Sequence, residues 1–320
     1  MLYLKTHIKI FFRNFLILAF HCLLFQKNYS QQFFVKSYTI ENGLPTRNIN
    51  DACQDNDGIM WLATSYGISK YDGFSFTNYD TKSGLPNQIF RKIKLDTKGV
   101  LWAMPDNALD TIVYRKDNMW GKVAPPEKVA NSNLMNSFDV IYKDNNPVIC
   151  VGSYNGYYIY ENNKWTHFTI SKTDGLNYVY TVVAHSDRFY LSTKTGLCIV
   201  DNGNIDWSLN KLIKTSGQDI IAINFENKNT NAEKLWLLTE KWLGYIEHNN
   251  FRMVTDKFHL PHPSVYYYSY VNSDKNGNVF FGNIWAKYYI SKTGMLPVPL
   301  MFDNGFSSQG ATFPHILSLR

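Results

Sequence analysis

The sequence predicts an all-β chain assembled from repeated four-stranded sheets, and three observations carry that prediction. Gly43-Leu44-Pro45 recurs as Gly84-Leu85-Pro86, 41 residues later. Trp61 recurs as Trp102, again 41 residues later, each inside a Gly-x-x-Trp run. Tyr38 and Tyr79 each sit five residues before their Gly-Leu-Pro. Three separate features at one fixed spacing mark an internal repeat, and periods of this length mark solenoids, propellers or arrays.

The first repeat reads as four short strands. Ile49 to Gln54 is strand A, and Asn56-Asp57-Gly58 is a tight turn. Ile59 to Thr64 is strand B, closed by Ser65-Tyr66-Gly67. Ile68 to Tyr71 is strand C, Asp72-Gly73 is a two-residue hairpin turn, and Phe74 to Tyr79 is strand D. Asp-Gly suits such a turn because its central positions need positive φ. Weaker copies follow at Val151 to Gly156, Gly175-Leu176-Asn177 with Tyr190 to Thr193, Leu235 to Thr239, and Asn276 to Gly282. The 22 Tyr, 21 Phe and 8 Trp suit pleated surfaces.

One four-stranded meander cannot bury both its faces. Packing neighbours face to face around an axis buries them, which predicts a β-propeller. Six blades are complete by about Leu296. Phe34 to Tyr38 reads as a strand D and His315 to Arg320 as a strand A, so the termini are expected to share a partial seventh blade. That arrangement suggests a truncated product; a six-bladed ring with a disordered tail is the alternative.

Lys5, Lys9 and Arg13 precede the apolar run Phe15 to Phe25, which reads as an export signal over residues 1–30, or an uncleaved anchor. Residues 31–320 form the propeller. The expected compartment is periplasmic. The formal charge is +6, but residues 1–30 carry +4 of it, so the remaining +2 leaves no basic footprint for nucleic acid. Beyond residue 30 the cysteines are Cys53, Cys150 and Cys198, an odd number in strand-like runs, so no disulfide framework is expected.

Gly-Leu-Pro, then Asp-x-x-Gly-x-x-Trp-x-x-Thr, x-x-Gly and Asp-Gly, resembles the two-component regulator propeller repeat. The first copy carries Gly43-Leu44-Pro45, Asp55, Gly58, Trp61, Thr64, Gly67, Tyr71 and Asp72-Gly73; the second keeps Asp96, Gly99 and Trp102 but has Met104-Pro105-Asp106-Asn107 in place of the Thr turn. The resemblance implies the periplasmic sensor region of a bacterial, often hybrid, histidine kinase. There, a second propeller, a β-sandwich, a membrane helix and a kinase would follow, and many members are similar to glycan sensors. No phospho-accepting His on a helix and no ATP lid occur in this sequence.

The expected function is therefore a non-catalytic ligand-sensing module without a cofactor. It would bind a glycan or other small ligand at the axial entrance formed by the D-to-A and B-to-C loops. A homodimer is left open. The loop residues offered for this are Arg47, Asn48, Tyr66, Asn87, Gln88, Tyr154, Asn155, Tyr178, Trp242 and Trp285. A propeller lyase or hydrolase, or a protein-docking disc, are the alternatives. Asp51, Arg91 and His185 are the scattered acid–base residues an enzyme could use. Asp55-Asn56-Asp57-Gly58 is a hairpin turn rather than a calcium loop, because Cys53 takes a ligand position. His259-Leu260-Pro261-His262 is a loop rather than a metal site, and Tyr266-Tyr267-Tyr268 a strand rather than a ligand platform.

Overall fold

The computed structural model describes residues 38–106, 111–124, 135–173, 175–213, 219–226, 230–258, 269–273, 277–283, 287–291 and 294–297. The chain divides into two compact units, Met1–Tyr38 and Thr39–Arg320, and every described strand belongs to the second. The segments expected to be the export signal and, apart from Tyr38, the partial seventh blade lie outside the described residues, as do His259 to His262 and Tyr266 to Tyr268.

Six four-stranded antiparallel sheets follow one another, each with its strands in simple A-B-C-D order. Blade 1 holds β1 (Ile49–Gln54), β2 (Met60–Thr64), β3 (Gly67–Tyr71) and β4 (Phe76–Tyr79). Blade 2 holds β5 (Phe90–Leu95), β6 (Leu101–Pro105), β7 (Ile112–Lys116) and β8 (Met119–Val123). Blade 3 holds β9 (Met135–Lys143), β10 (Asn146–Ser153), β11 (Gly156–Glu161) and β12 (Lys164–Phe168). Blade 4 holds β13 (Val179–His185), β14 (Arg188–Thr193), β15 (Gly196–Asp201) and β16 (Asn204–Asp206). Blade 5 holds β17 (Ala222–Glu226), β18 (Lys234–Leu238), β19 (Leu243–Glu247) and β20 (Asn250–Thr255). Blade 6 holds β21 (Tyr270–Ser273), β22 (Val279–Gly282), β23 (Lys287–Ser291) and β24 (Gly294–Pro297).

The repeat motif has a mechanical explanation. Asp55 Oδ1 accepts the N–H groups of Asp57 and Ile59, which closes the A–B turn, and its Oδ2 accepts the Trp61 indole N–H at 2.9 Å. Asp96 repeats this on Lys98, Val100 and the Trp102 indole, at 2.7 Å for the last. In blade 5, Glu226 accepts the Trp236 indole N–H. One carboxylate thus satisfies a turn and a buried indole together. The Trp rings then pack forward into the next blade: Trp61 meets Ile93, and Trp102 meets Phe138 and Val140.

Two expectations change. The Asp72-Gly73 turn is not a two-residue hairpin. Only Gly73 has positive φ, and Asp72 Oδ1 accepts from both Phe74 and Ser75. Two-residue turns with both central φ positive occur instead at Asp117-Asn118, Asp144-Asn145, Asn162-Asn163, Ser186-Asp187, Asn202-Gly203 and His248-Asn249. Asx side chains stabilise their own turn and so lessen the need for Gly. Blade 4 also carries an unexpected helix, α1 (Ser208–Ile213), after a three-residue strand D. Asn210 Oδ1 accepts from Leu197 N, so the helix supplies an edge contact to strand C.

Candidate functional site

The B–C turns of blades 1, 3, 4 and 5 are built around a buried hydroxyl. Thr64 Oγ1 donates to the Gly67 carbonyl and accepts the Tyr66 N–H. Ser153, Thr193 and Thr239 repeat the arrangement. Gly67 is obligatory here: its φ is +93°, in the left-handed region, and a Cβ would lie 2.0 Å from the Tyr79 carbonyl oxygen. The turns of blades 1, 3 and 4 are pinned to D–A loops. Ser65 N donates to Asn48 O and Lys194 N to Tyr178 O within a blade; Gly67 N donates to Gln88 O and Gly156 N to Asn177 O across to the next blade. The two loop sets therefore share one face, as the repeat pattern implied.

On that face Arg47, Asn48, Gln88 and Asn155 have exposed side chains, and Tyr66 is 46% exposed. Tyr154 and Tyr178 are half-buried and meet edge to face, with centroids 4.4 Å apart. Asn87 is buried; its amide bonds both the N–H and the C=O of Thr111, so it ties a loop in place. Trp242 is 6% exposed and packs edge-on against Phe251, so its ring serves the core between strands. Trp285 lies outside the described residues.

The structure extends the tyrosine pair. Tyr178 packs on Tyr180 at 4.4 Å, and the Tyr180 hydroxyl donates to Asp219 Oδ2 at 2.7 Å. Burial pushes the Asp219 carboxyl above its ordinary range, while the Tyr180 hydrogen bond and the Lys194 charge oppose that shift. Tyr178 and Tyr180 alternate in the sequence, a period-two signal for one strand face. Asp219 comes from the loop before the next blade, and no local spacing announces it.

Below this face the six innermost strands surround a cavity of about 170 Å³. Asp51, Lys92, Ser137, Thr181, Asn224 and Asn272 contribute one polar side chain from each blade. Asp51 Oδ2 accepts from Ile93 N at 3.1 Å, and Asn224 Nδ2 donates to Asn272 Oδ1 at 2.9 Å. Lys94 pairs with Asp139, which also accepts the Ala184 N–H at 2.7 Å. These bonds run between successive innermost strands and join the blades.

The three scattered acid–base residues do not converge. Asp51 lines the cavity, and Arg91 turns to Asp106 at 2.6 Å. His185 sits at the opposite end of strand A, stacked on Phe225 at 4.3 Å and 3.1 Å from Glu233. Among the described residues, no group of three or more His, Cys, Asp or Glu could hold a metal ion, and no helix is long and apolar enough to cross a membrane.

Residues 43–66 match the family model of the two component regulator propeller, in agreement with the repeat read from Gly43 to Tyr66. No curated protein matches the chain by sequence. Among solved structures, the chain is similar to the extracellular domain assigned to a hybrid two component system of B. thetaiotaomicron, at 19% identity and TM-score 0.55, over 84% of this chain and 34% of that one. A second such domain from the same organism gives 20% identity and TM-score 0.55, over 82% and 35%. A catalytically inactive virginiamycin B lyase from Staphylococcus aureus, solved with quinupristin, gives 14% identity and TM-score 0.58, over 81% and 87%. The chain thus spans about a third of the length of the two extracellular domains. At these identities the likeness establishes the propeller fold.

Proposed function

We propose that this propeller is a non-catalytic, extracytoplasmic ligand-sensing module of a two-component signalling system, and that it takes an oligosaccharide or similar polyhydroxylated ligand on its entrance face. The observation that carries the reading is the run Tyr154, Tyr178 and Tyr180 ending on Asp219, beside exposed Asn155. Aromatic faces accept the apolar side of a sugar ring, and a carboxylate and amide nearby accept and donate to its hydroxyls. Arg47, Asn48, Tyr66 and Gln88 extend the exposed polar surface on blades 1 and 2. The repeat over residues 43–66 and the likeness to two extracellular sensor domains support the signalling context. In a longer parent, a second propeller, a membrane helix and a kinase would be the partners.

A propeller lyase or hydrolase is the competing reading, favoured by a likeness that covers most of both this chain and the lyase. The scatter of Asp51, Arg91 and His185 weighs against it, since acid–base work needs groups within reach of one bond. Calorimetric titration with a panel of oligosaccharides tests the sensing reading. Tyr154→Ala and Tyr178→Ala should each weaken binding about tenfold, the loss of about 1.4 kcal/mol. Titrations that both variants leave unchanged, or cleaved oligosaccharide forming in the mixture of protein and ligand, overturn it.

A further inference from the structure

The repeat permits the grooves between the first five blades to be compared, and among them groove 3–4 alone has no aromatic ring at the strand B tryptophan position. In groove 1–2, Trp61 fills the space, with the Arg115 guanidinium 5.6 Å from its ring and Trp120 beside it. In groove 2–3, Trp102 and Tyr142 fill it, both bonded to Asp96. In groove 4–5, Tyr190 packs on Phe225 at 4.9 Å, and blade 5 again carries a Trp, Trp236.

Blade 3 has lost both partners of the pair. Counted back from the B–C turn hydroxyl, Cys150 stands three residues before Ser153, as Trp61 stands three before Thr64. Ile141, opposite Val148, stands where Asp55 and Asp96 stand. A cleft of about 290 Å³ opens between blades 3 and 4 beside these two substitutions. Ile141, Val148, Ile159, Phe168, Phe189 and Val200 give it apolar walls. Lys143 spans its mouth, bonded to Glu161 at 3.1 Å in its own blade and to Asn202 at 2.8 Å in the next.

We infer that this cleft is a binding site for a small aromatic molecule, a planar hydrocarbon ring carrying one polar substituent. The ring would occupy the volume that an indole fills in the neighbouring grooves. An apolar cleft wall without partner atoms forfeits dispersion contacts, and a ring restores them. With Ile141 in place of the carboxylate, the wall formed by the Ile141, Val148 and Ile159 side chains offers no acceptor, so the part of the ligand against it is hydrocarbon. The polar substituent faces outward to Lys143, Glu161 and Asn202. The site is separate from the entrance face and does not depend on what binds there.

The test uses the full chain, with benzyl alcohol as probe and cyclohexylmethanol as the non-planar control. Methyl spectra of Ile141 and Ile159 are followed to about 10 mM probe, a range suited to a ligand of this size. Benzyl alcohol should shift both methyl signals through its ring current, and the control should bind at least about tenfold more weakly. Cys150→Trp should refill the cleft and abolish the shifts. Thr166→Trp, at an exposed strand position lining the cleft, should do the same without touching the core. Methyl signals that stay still in the unaltered protein, or shifts that persist in Thr166→Trp, overturn the site.

Discussion

Blades 2 and 3 are built on the same strand plan but hold their neighbours by different means. Blade 2 presents Trp102, 2% exposed, tied to Asp96, which also accepts the Tyr142 hydroxyl of blade 3 at 2.6 Å. Blade 3 presents Cys150 and Ile141 at the same positions and leaves a cleft against blade 4. The strand pairing survives both solutions. The fold therefore needs the A-B-C-D meander and the joined innermost strands in every blade, whereas the indole–carboxylate pair can be given up locally.

That difference is sharpened first at the tryptophan itself. Trp102→Ala should destabilise the protein by about 3–5 kcal/mol, the range for a large buried ring, and it also strips a donor from Asp96. Cys150→Ala should cost no more than about 1 kcal/mol, since little volume is lost. Denaturant melts of the two variants measure both; equal losses would break the comparison.

A smaller effect is expected at the entrance. The Asp219 carboxyl is raised in the folded chain, so folding favours its protonated form. Its contribution to stability is full below the unfolded carboxylate range and is lost as pH rises through the raised folded value. Asp219→Asn should thus raise the melting temperature at pH 7 and leave it unchanged near pH 3. A variant less stable than the parent at pH 7 would show that the Tyr180 bond outweighs burial.

The least perturbing test concerns the thiols beside the open cleft. Burial pushes the Cys198 thiol up to about 12 and the Cys150 thiol well above its ordinary value. Both should resist a maleimide at pH 7 in the native protein and react once it is unfolded, because only the thiolate attacks. Peptide mapping after labelling measures this, and rapid native labelling of Cys150 would mean that the cleft opens to the core.

Much of this was readable along the chain. The spacing of Trp61 and Trp102 marked the blades, and Thr64 with Gly67 marked the B–C turns, because each motif acts on residues only a few positions away. The loop placement of Arg47, Asn48, Tyr66, Gln88, Tyr154, Asn155 and Tyr178 followed from the same repeat. Turn chemistry was less legible: Asp72-Gly73 has the composition of a two-residue hairpin, but the Asp72 side chain captures two following amides instead. Asn87 and Trp242 sit at loop positions in the chain, yet their side chains turn inward, Asn87 to Thr111 and Trp242 to Phe251.

The repeat period and its turn residues by themselves determined the all-β class, the four-stranded unit and the face on which the loops gather. Only the packed ring decided which distant residues meet. Tyr180 of blade 4 meets Asp219 of the loop leading to blade 5, and the walls of the cleft beside Ile141 come from blades 3 and 4. Hydrogen bonds within a turn depend on neighbours in sequence, so a motif can encode them. Contacts between blades depend on how two independent sheets lie against each other, and that geometry exists only once the blades have assembled.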